Sequence, residues 1–542
     1  MGHAGDRRGA ISPQTAALEG APLDRPGESA AAWGRVAAQS QARPSRTNNG
    51  RSSSHPLERI GLIVLGVQMA AMLTFSTVEY RRFALTRDFA IYSQAWWSIG
   101  HGVLDPRSSV LGVPFWRSNA EFAMWPLALL YHVFPNPMSL LWLQDVVVVA
   151  TELLAFRWIG GIVTQGGSSI SGRTRNVVGA LALFALVANP WIYETIAFDF
   201  HFEVFAALFA LLAAHSLWAG RTRQLWWWVP LAVVFGAFGA VYVVGVGISG
   251  LLGSKRSRKP GAILAGAGVA WLLLLSRIGA VGGSGTMLRV AYGYLVPHHT
   301  GRIGVLDVVL GVLAHPSAAG HVIATHLAVT FGLLVTAGLI GLLSPWGIGV
   351  AAVVLVPNIL DQSGIFIRYA GAFQTWAAMP FVLVGSVMIT LRLLERADGR
   401  RAATAFAAAW MTTAAVLALE NIPRLSSEWI QVSPNAAAML TRVQSSIPSD
   451  AEVVASQGVA GRFATRTSIH AFGSAENEFP VDAHTVVFVL TARQGVSDRF
   501  AGATTAVGYV QDELQTKLIG QSDGVYVFVW QPPARVRTVT LL

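Results

Sequence analysis

The sequence predicts a mainly α-helical, polytopic membrane protein with about eleven transmembrane helices and a small C-terminal α/β domain. Three observations lead to this fold class. Of the 542 residues, 53% are hydrophobic and only 13% are charged, whereas soluble proteins average about 25% charged residues. Long apolar segments recur between residues 57 and 420. After residue 427 the composition becomes that of a soluble domain, with short β-branched runs between turn residues.

The net charge and the absence of Cys argue against nucleic-acid binding and against cysteine-dependent sites. The formal net charge is +10, and in a membrane protein such an excess of Arg and Lys is typical of cytoplasmic loops rather than of nucleic-acid binding. The chain has no Cys, so it has no disulfide framework, zinc–thiolate site or cysteine nucleophile. The expected partner is therefore the lipid bilayer and not a nucleic acid. The sequence leaves the oligomeric state open.

The chain divides into a tail, a transmembrane domain and an α/β domain. Residues 1–56 are rich in Ala, Gly, Ser, Pro and Arg without an apolar period, which predicts a disordered cytoplasmic tail. The transmembrane domain is expected at 57–420, with a long first outer loop at 80–137. The apolar segments lie at 57–79, 138–161, 177–194, 202–219, 225–253, 260–279, 321–342, 346–360, 369–392 and 402–420.

The segment 225–253 is predicted to form two short helices with a turn at Gly236–Gly239. Basic loops flank both of its ends, and only a hairpin keeps both loops on the cytoplasmic side. This division brings the expected number of spans to eleven.

The distribution of basic residues predicts the orientation. The loops on one side hold Arg173, Arg175, Arg221, Arg223, Lys255, Arg256, Arg258, Lys259, Arg392, Arg396, Arg400 and Arg401. The local charge bias around the first apolar segment is weak, but the later loops on the other side hold few basic residues, namely Arg289, Arg302 and Arg368. The positive-inside rule then places the N-terminus in the cytoplasm, and the first long loop and the C-terminal domain outside it.

Residues 427–542 predict the small extracytoplasmic α/β domain. A helix is expected at 434–446, strands at 451–456 and 484–491, and a hairpin with a Ser-Asp-Gly turn at 516–530. The domain has no nucleophile elbow, P-loop or metal-ligand spacing. Its simplest role is that of a lid or a docking module.

The stretch Leu85–Gly102, LTRDFAIYSQAWWSIGHG, holds the first candidate for chemistry. Apolar residues at helical spacing predict a short amphipathic helix, and its aromatic rings suit the headgroup region, where they sit half wet. Asp88 lies at its start, so a carboxylate at the membrane surface could act as a base. The alternative, which this stretch alone favours, is that Asp88 is an N-cap. A second interfacial helix is predicted within 120–134.

The densest ionisable group is FDFHFE, where Asp199, His201 and Glu203 alternate with Phe. In an extended chain the three polar side chains point to one side, and in a helix Asp199 and Glu203 share a face. Either geometry brings two carboxylates and an imidazole to one site, which would bind a substrate hydroxyl or a divalent cation. The alternative, of equal weight, is a helix start capped by Asp199. No cofactor is indicated beyond that cation.

Asp361 and Arg368 flank another outer turn. An Arg near the outer surface suits a lipid phosphate, and the alternative is an anchor that snorkels. His101 and Glu121 share the first loop with Asp88.

Other polar residues in the apolar region carry weaker signals. The pair His298–His299 has no acid spaced to complete a metal site. Gln144, Asp145 and Glu152 lie within an apolar segment, and they are expected to make inter-helical polar contacts.

Several of these motifs are shared with a known family. TRDFAIYSQAWWSIGHG, PLALLYHVFP, SLLWLQD and FDFHFEVFAALFALLAAH resemble a bacterial multi-pass family of unknown function, domain-of-unknown-function family 2079. AEVVASQGVAGRFATRTSIHAF resembles the strand–loop–Arg pattern of that family, so the resemblance covers nearly everything after the tail. It implies a location in the bacterial plasma membrane.

That family is similar in layout to GT-C glycosyltransferases, which transfer a sugar from a polyprenyl-phosphate carrier. Those enzymes have a long first outer loop with interfacial helices and an early acidic residue. The resemblance implies that Asp88 occupies the position of their catalytic acid. It leaves the sugar and the acceptor open.

The chain departs from the family pattern in two places. Members carry a His before the short Pro-containing helix, where this chain has Asn119 to Phe122. Many also carry an acid or Lys in the turn of the short-helix hairpin, where this chain has GAFGAVY. These departures leave open whether the mechanism transfers to this chain.

The expected function is that of a membrane glycosyltransferase-like enzyme in the cell envelope. Asp88 would be the general base, and Arg368 or an Arg of the 280–320 loop would hold the donor phosphate. A transporter or flippase of a lipid-linked substrate and a non-catalytic scaffold are the alternatives.

Overall fold

The fold is that of a computed structural model, which describes residues 56–165, 170–280, 284–297, 303–363, 372–396, 399–424, 429–473, 477–491 and 503–541. The predicted tail lies outside the described residues, apart from Pro56. The described part is mainly α-helical.

Twenty α-helices, labelled in chain order, are found among these residues. They are α1 Pro56–Arg81, α2 Arg87–Gly100, α3 Trp116–Asn119, α4 Met124–Ala128, α5 Met138–Gln165, α6 Gly172–Val187, α7 Pro190–Ala197, α8 Phe202–Trp218, α9 Thr222–Val234, α10 Ala237–Leu252, α11 Lys255–Arg277, α12 Ser284–Tyr292, α13 Val305–Ala314, α14 Pro316–Thr336, α15 Pro345–Leu360, α16 Ala372–Thr375, α17 Met379–Glu395, α18 Gly399–Asn421, α19 Pro434–Gln444 and α20 Ala503–Gly508.

Seven helical stretches in the described residues are long and apolar enough to cross a membrane. They are Pro56–Arg81, Met138–Gln165, Gly172–Ala197, Lys255–Arg277, Pro316–Thr336, Phe373–Glu395 and Gly399–Asn421. Shorter apolar helices of 10–17 residues lie between them. The polytopic fold class is confirmed, while the count of eleven spans and the orientation of the termini stay predictions.

The predicted break inside 225–253 is present. Helix α9 ends at Val234 and α10 begins at Ala237. Between them Gly236 has φ 117°, a backbone conformation that side chains with a Cβ rarely adopt. Glycine therefore allows the chain to turn where the charge pattern predicted a turn.

The loop between α1 and α5 carries the predicted amphipathic helix. Helix α2 begins at Arg87 and ends at Gly100, but Phe89, Tyr92 and Trp96 are almost fully buried. The expectation that these rings lie half wet is therefore wrong, because the rings of Phe115, Phe200 and Phe202 pack around Tyr92 and the ring of Tyr131 packs on Trp96. The predicted helix within 120–134 is only the five-residue α4 followed by a 3₁₀ turn.

An exposed apolar edge of this loop follows α4. Its exposed large apolar side chains are Leu129, Leu130, Val133 and Phe134. A contiguous exposed apolar edge of this kind is typical of a membrane contact.

The C-terminal residues form the predicted helix, strands and hairpin. The strands of the main sheet are β3 Glu452–Ser456, β4 Ile469–Phe472, β6 Val486–Thr491, β7 Lys517–Ser522 and β8 Val525–Trp530, in the order β4-β3-β6-β8-β7. Short pairs are β1 Arg107–Ser108 with β2 Val113–Pro114, and β5 Glu478–Pro480 with β9 Thr538–Thr540. Strands β4, β3 and β6 are parallel, and β6, β8 and β7 are antiparallel.

Local sequence explains this sheet. The central strands are buried on both faces, as continuous apolar runs such as VVFVLT predict. The hairpin β7–β8 turns at Asp523 and Gly524, both with positive φ, which is the conformation that an Asp-Gly turn favours.

Candidate active site

The first turn of α2 is held from two directions. Thr86 is its N-cap, and its hydroxyl oxygen accepts from the backbone N–H of Asp88 at 3.2 Å. Asp199, from the loop before α8, accepts from the backbone N–H groups of Thr86 and Phe89 at 2.9 and 3.2 Å, and from the Thr86 hydroxyl. These bonds satisfy N–H groups that a helix start leaves free. The carboxylate of Asp88 is therefore not needed as a cap.

Asp199 caps a helix other than its own. Its φ is 54°, in the left-handed region that Asp tolerates better than most residues. Gln144 of α5 fixes this segment, because it donates to the Asp199 carbonyl and accepts from the His201 N–H, both at 2.6 Å. The interpretation of Asp199 as a cap is correct in kind, but the capped helix is α2 and not α8.

Asp88 and His201 lie opposite each other. Nε2 of His201 is 3.7 Å from Oδ2 of Asp88, an ion-pair distance that is too long for a hydrogen bond. The His201 side chain is buried and the Asp88 side chain is 34% exposed. The His201 ring stacks on Phe373 of α16 with centroids 3.6 Å apart. The exposed member of the pair, Asp88, is thus the one that an external molecule can reach.

Electrostatics favour the ionised pair. Burial alone would raise the pKa of the Asp88 carboxyl, but the contact with His201 and the charge of Arg87 outweigh it, so the pKa is lowered. Burial alone would lower the pKa of His201, but Asp88, Glu203 and Asp199 together raise it. Both shifts favour a charged carboxylate that faces a protonated imidazole. The pKa of the buried Asp199 is raised to about 6 by burial and by the nearby charge of Asp88.

Tyr92 connects this pair to a further acid. It lies one helical turn after Asp88, and its ring meets the ring of His201 edge-on at 5.9 Å. Its hydroxyl donates to Glu121 at 2.8 Å. Burial and the charges of Glu121 and Glu203 keep the pKa of Tyr92 well above its usual value. Glu121 is therefore separated from His201 by the Tyr92 ring, and Glu203 acts on the site through its charge.

The remaining predicted site residues are placed elsewhere or not described. His101 lies at the other end of α2 and contacts the Trp97 carbonyl at 2.8 Å, about 20 Å along the helix from Asp88. Asp361 is buried at the end of α15, where it accepts from the N–H and the hydroxyl of Ser363. Arg368 and the pair His298–His299 lie outside the described residues.

The side chains do not fit a divalent cation. Both oxygens of Asp199 already accept hydrogen bonds from the start of α2. Among the residues that the structure describes, no group of three or more His, Asp or Glu is arranged to hold a metal ion.

The acids inside the apolar helices make the expected inter-helical contacts. Gln68 of α1 donates to Glu152 of α5 at 3.1 Å, and Ser76 donates to Asp145 at 3.1 Å. We call these two pairs the α1–α5 seam. Their partners are neutral donors, which bond to one oxygen of each buried carboxyl without adding charge.

The C-terminal domain packs directly on the start of α2. Gly461 donates its N–H to the Leu85 carbonyl at 3.0 Å, and Phe83 belongs to the same apolar core as strands β3 and β4. Further along α2, Gln94 donates to the Arg466 and Thr467 carbonyls. The domain and the Asp88 loop therefore lie on the same side of the apolar helices.

Sequence reasoning missed several of these positions. Thr86 carried a usable signal, because a Thr directly before a periodic segment is an N-cap pattern. The stacking of Phe373 on His201 carried none, since the two residues are far apart in sequence and nothing local links them.

Comparisons with known proteins add two findings. The profile of a family described as "Predicted membrane protein (DUF2079)" matches residues 81–518, about four fifths of the chain. Among solved structures, ArnT from Cupriavidus metallidurans bound to undecaprenyl phosphate matches with 12% identity and a TM-score of 0.43, over 86% of this chain and 98% of that chain. No curated protein matches the chain.

Proposed function

The chain belongs to the DUF2079 family of predicted membrane proteins, and we propose that it transfers a sugar from a polyprenyl-phosphate donor at the outer membrane face. The observation that carries this proposal is the Asp88–His201 pair. It presents a charged, partly exposed carboxylate on a loop that also carries an exposed apolar edge. Such a site suits a substrate that is part lipid.

In this mechanism Asp88 is the general base. Its carboxylate takes the proton of an acceptor hydroxyl, and the hydroxyl oxygen forms a bond to the anomeric carbon of the sugar. The bond from that carbon to the carrier phosphate breaks, and polyprenyl phosphate leaves with the bonding electrons. General-base assistance of this kind contributes about 10²- to 10⁴-fold to the rate.

The other side chains support this step. His201 orients the Asp88 carboxylate and stabilises it before transfer, and Tyr92 and Glu203 complete the polar wall beside it. Arg368 or Arg289 would neutralise charge on the leaving phosphate. Arg289 is exposed on α12, and Arg368 precedes Phe373, the residue stacked on His201, by five positions in the sequence.

The two alternatives find less support. A transporter needs an open polar route, but the cavity beside Glu152 measures about 10 Å³, roughly the smallest space that holds one water, so the acid of α5 does not line such a route in the described residues. A scaffold needs an exposed apolar patch on 427–542, and in the described part of that region Leu518 is the only exposed large hydrophobic residue.

The donor class is the point to test. Membranes that contain the protein are given labelled sugars on polyprenyl phosphate or on a nucleoside diphosphate, with membranes that lack the protein as the control. We expect transfer only from the lipid-linked donor. Transfer from the nucleotide sugar alone would contradict the proposal.

A further inference from the structure

The turn before α2 has a strained backbone that the C-terminal domain encloses. Phe83 has φ 58° and is fully buried. A bulky residue rarely adopts this left-handed conformation unless its surroundings enforce it. On the C-terminal domain, the Arg462 guanidinium lies 4.0 Å from the Phe83 ring centroid and the Phe463 ring lies at 5.4 Å. The domain therefore supplies the surroundings that keep this turn in place.

Gly461 closes on the next residues of the same turn. Its N–H donates to the Leu85 carbonyl at 3.0 Å. A Cβ at this position would lie 2.6 Å from Cβ of Leu85 and 3.0 Å from the Phe89 ring. Only glycine allows the domain to approach the first turn of α2 this closely.

We propose that the C-terminal domain is a positioning element of the site, in which Gly461 and Arg462 hold the turn before α2 so that Asp88 faces His201. Asp199 holds the same helix start from the membrane-helix side. The first turn of α2 thus lies between two rigid supports, and a shift of either one changes the distance between Asp88 and His201. The expected effect on turnover rests on the proposed function, whereas the positioning of Asp88 opposite His201 does not.

The domain has a second attachment that does not involve this turn. Ser109, beside the middle of α2, accepts from the Ile469 N–H at 2.9 Å and donates to the Ile469 carbonyl at 2.7 Å. Gln94 accepts from the Ser109 N–H at 2.9 Å. A change at Gly461 therefore disturbs the turn before α2 but leaves the C-terminal domain attached. The position of Asp88 can thus be tested separately from the attachment of the domain.

The experiment measures the titration of His201 in the full-length protein in lipid nanodiscs. Histidine rings are isotope-labelled, and the His201 signal is assigned by its loss in His201→Gln. In Gly461→Ala we expect the pKa of His201 to fall towards its usual value of about 6.5, because Asp88 is displaced. Gly508→Ala is the matched control, since a Cβ at Gly508 meets no atom within 4 Å and its backbone is helical.

Turnover gives the second measurement. A displacement of a few tenths of an ångström is expected to reduce sugar transfer about tenfold in Gly461→Ala, because a 1 Å error costs about 10²-fold. An unchanged His201 titration in folded Gly461→Ala would overturn the positioning role. If Gly461→Ala does not fold, Arg462→Ala serves instead, with Arg462→Lys expected to restore part of the cation–ring contact and of the shift. An unshifted His201 signal in Arg462→Ala would likewise overturn the role.

The two proposals fail in distinguishable ways. If the wild type transfers no lipid-linked sugar but His201 still shifts in Gly461→Ala, the proposed function is wrong and the positioning role stands. If the wild type transfers lipid-linked sugar but the pKa of His201 does not shift in Gly461→Ala, the positioning role is wrong and the proposed function stands.

Discussion

The α1–α5 seam and the Asp88–His201 pair both hold carboxyl groups against other side chains, but with different partners and different exposure. In the seam, Asp145 and Glu152 each accept one hydrogen bond from a neutral side chain and are almost fully buried. In the pair, Asp88 faces a cation and keeps a third of its side chain exposed. The seam therefore joins two helices, and the pair holds a charge where a substrate can reach it.

The comparison shows how a functional acid is recognised in a membrane protein. The presence of an acid in or beside the apolar helices singles out Glu152 and Asp88 alike. What differs is the partner, the exposure and the precision with which the backbone is held. Asp88 sits on a helix start fixed by Asp199 and by the C-terminal domain, an arrangement that the seam lacks in the described residues.

The largest expected effect separates the two regions directly. Asp88→Asn should reduce sugar transfer by about 10²- to 10⁴-fold, because the amide cannot accept the proton. Glu152→Gln has a similar shape and should leave turnover unchanged. The measurement is the initial rate of transfer in membranes at equal protein level. Equal losses in both variants would remove the distinction between the regions.

Loss of the Asp199 cap of α2 is expected to have the second-largest effect, on the free energy of unfolding. Asp199→Ala removes three hydrogen bonds from the start of α2 and places Ala in a left-handed conformation. We expect the free energy of unfolding to fall by about 2 kcal/mol. Asp199→Asn, which keeps one acceptor oxygen and tolerates this conformation, should lose less. Equilibrium unfolding in mixed micelles measures both, and an identical loss in the two variants would argue against the capping role.

The pH dependence follows from His201. Its pKa is raised in the folded protein, against the effect of burial, by Asp88, Glu203 and Asp199. The stability that it contributes is fully present below about pH 6.5 and is lost as the pH rises through the raised pKa. The difference in melting temperature between the wild type and His201→Gln should therefore shrink towards alkaline pH. A constant difference from acid to alkaline pH would show that the charge on His201 contributes nothing.

The smallest effect is expected in the seam. Gln68→Leu removes one hydrogen bond between α1 and α5, and such bonds contribute about 0.6 kcal/mol in membrane helices. The unfolding free energy should fall by about this amount while sugar transfer continues at the wild-type rate. A large loss of transfer would mean that the seam takes part in the chemistry.

Particular residues show what the sequence could predict. The apolar segments, the break at Gly236 and the Asp-Gly hairpin rest on local composition and backbone preference, and the structure contains them. The capping of α2 by Asp199 could not be predicted, because it joins residues more than a hundred positions apart through a left-handed turn. For the same reason, the pattern of Phe83 and Leu85 gave no sign of the Gly461–Arg462 contact.

The contact between Asp88 and His201 could be predicted only in part. The sequence singled out both residues as polar groups in aromatic surroundings. It could not show that they meet, since periodicity describes one element at a time and not the packing between elements.

The most direct test of the central claim is a double-mutant cycle of Asp88→Asn and His201→Gln, read out as the rate of sugar transfer. If the two residues act as one unit, the double variant should be no slower than the slower single variant. If the two reductions multiply, Asp88 and His201 act independently, and the account of the site as a paired carboxylate and imidazolium is contradicted.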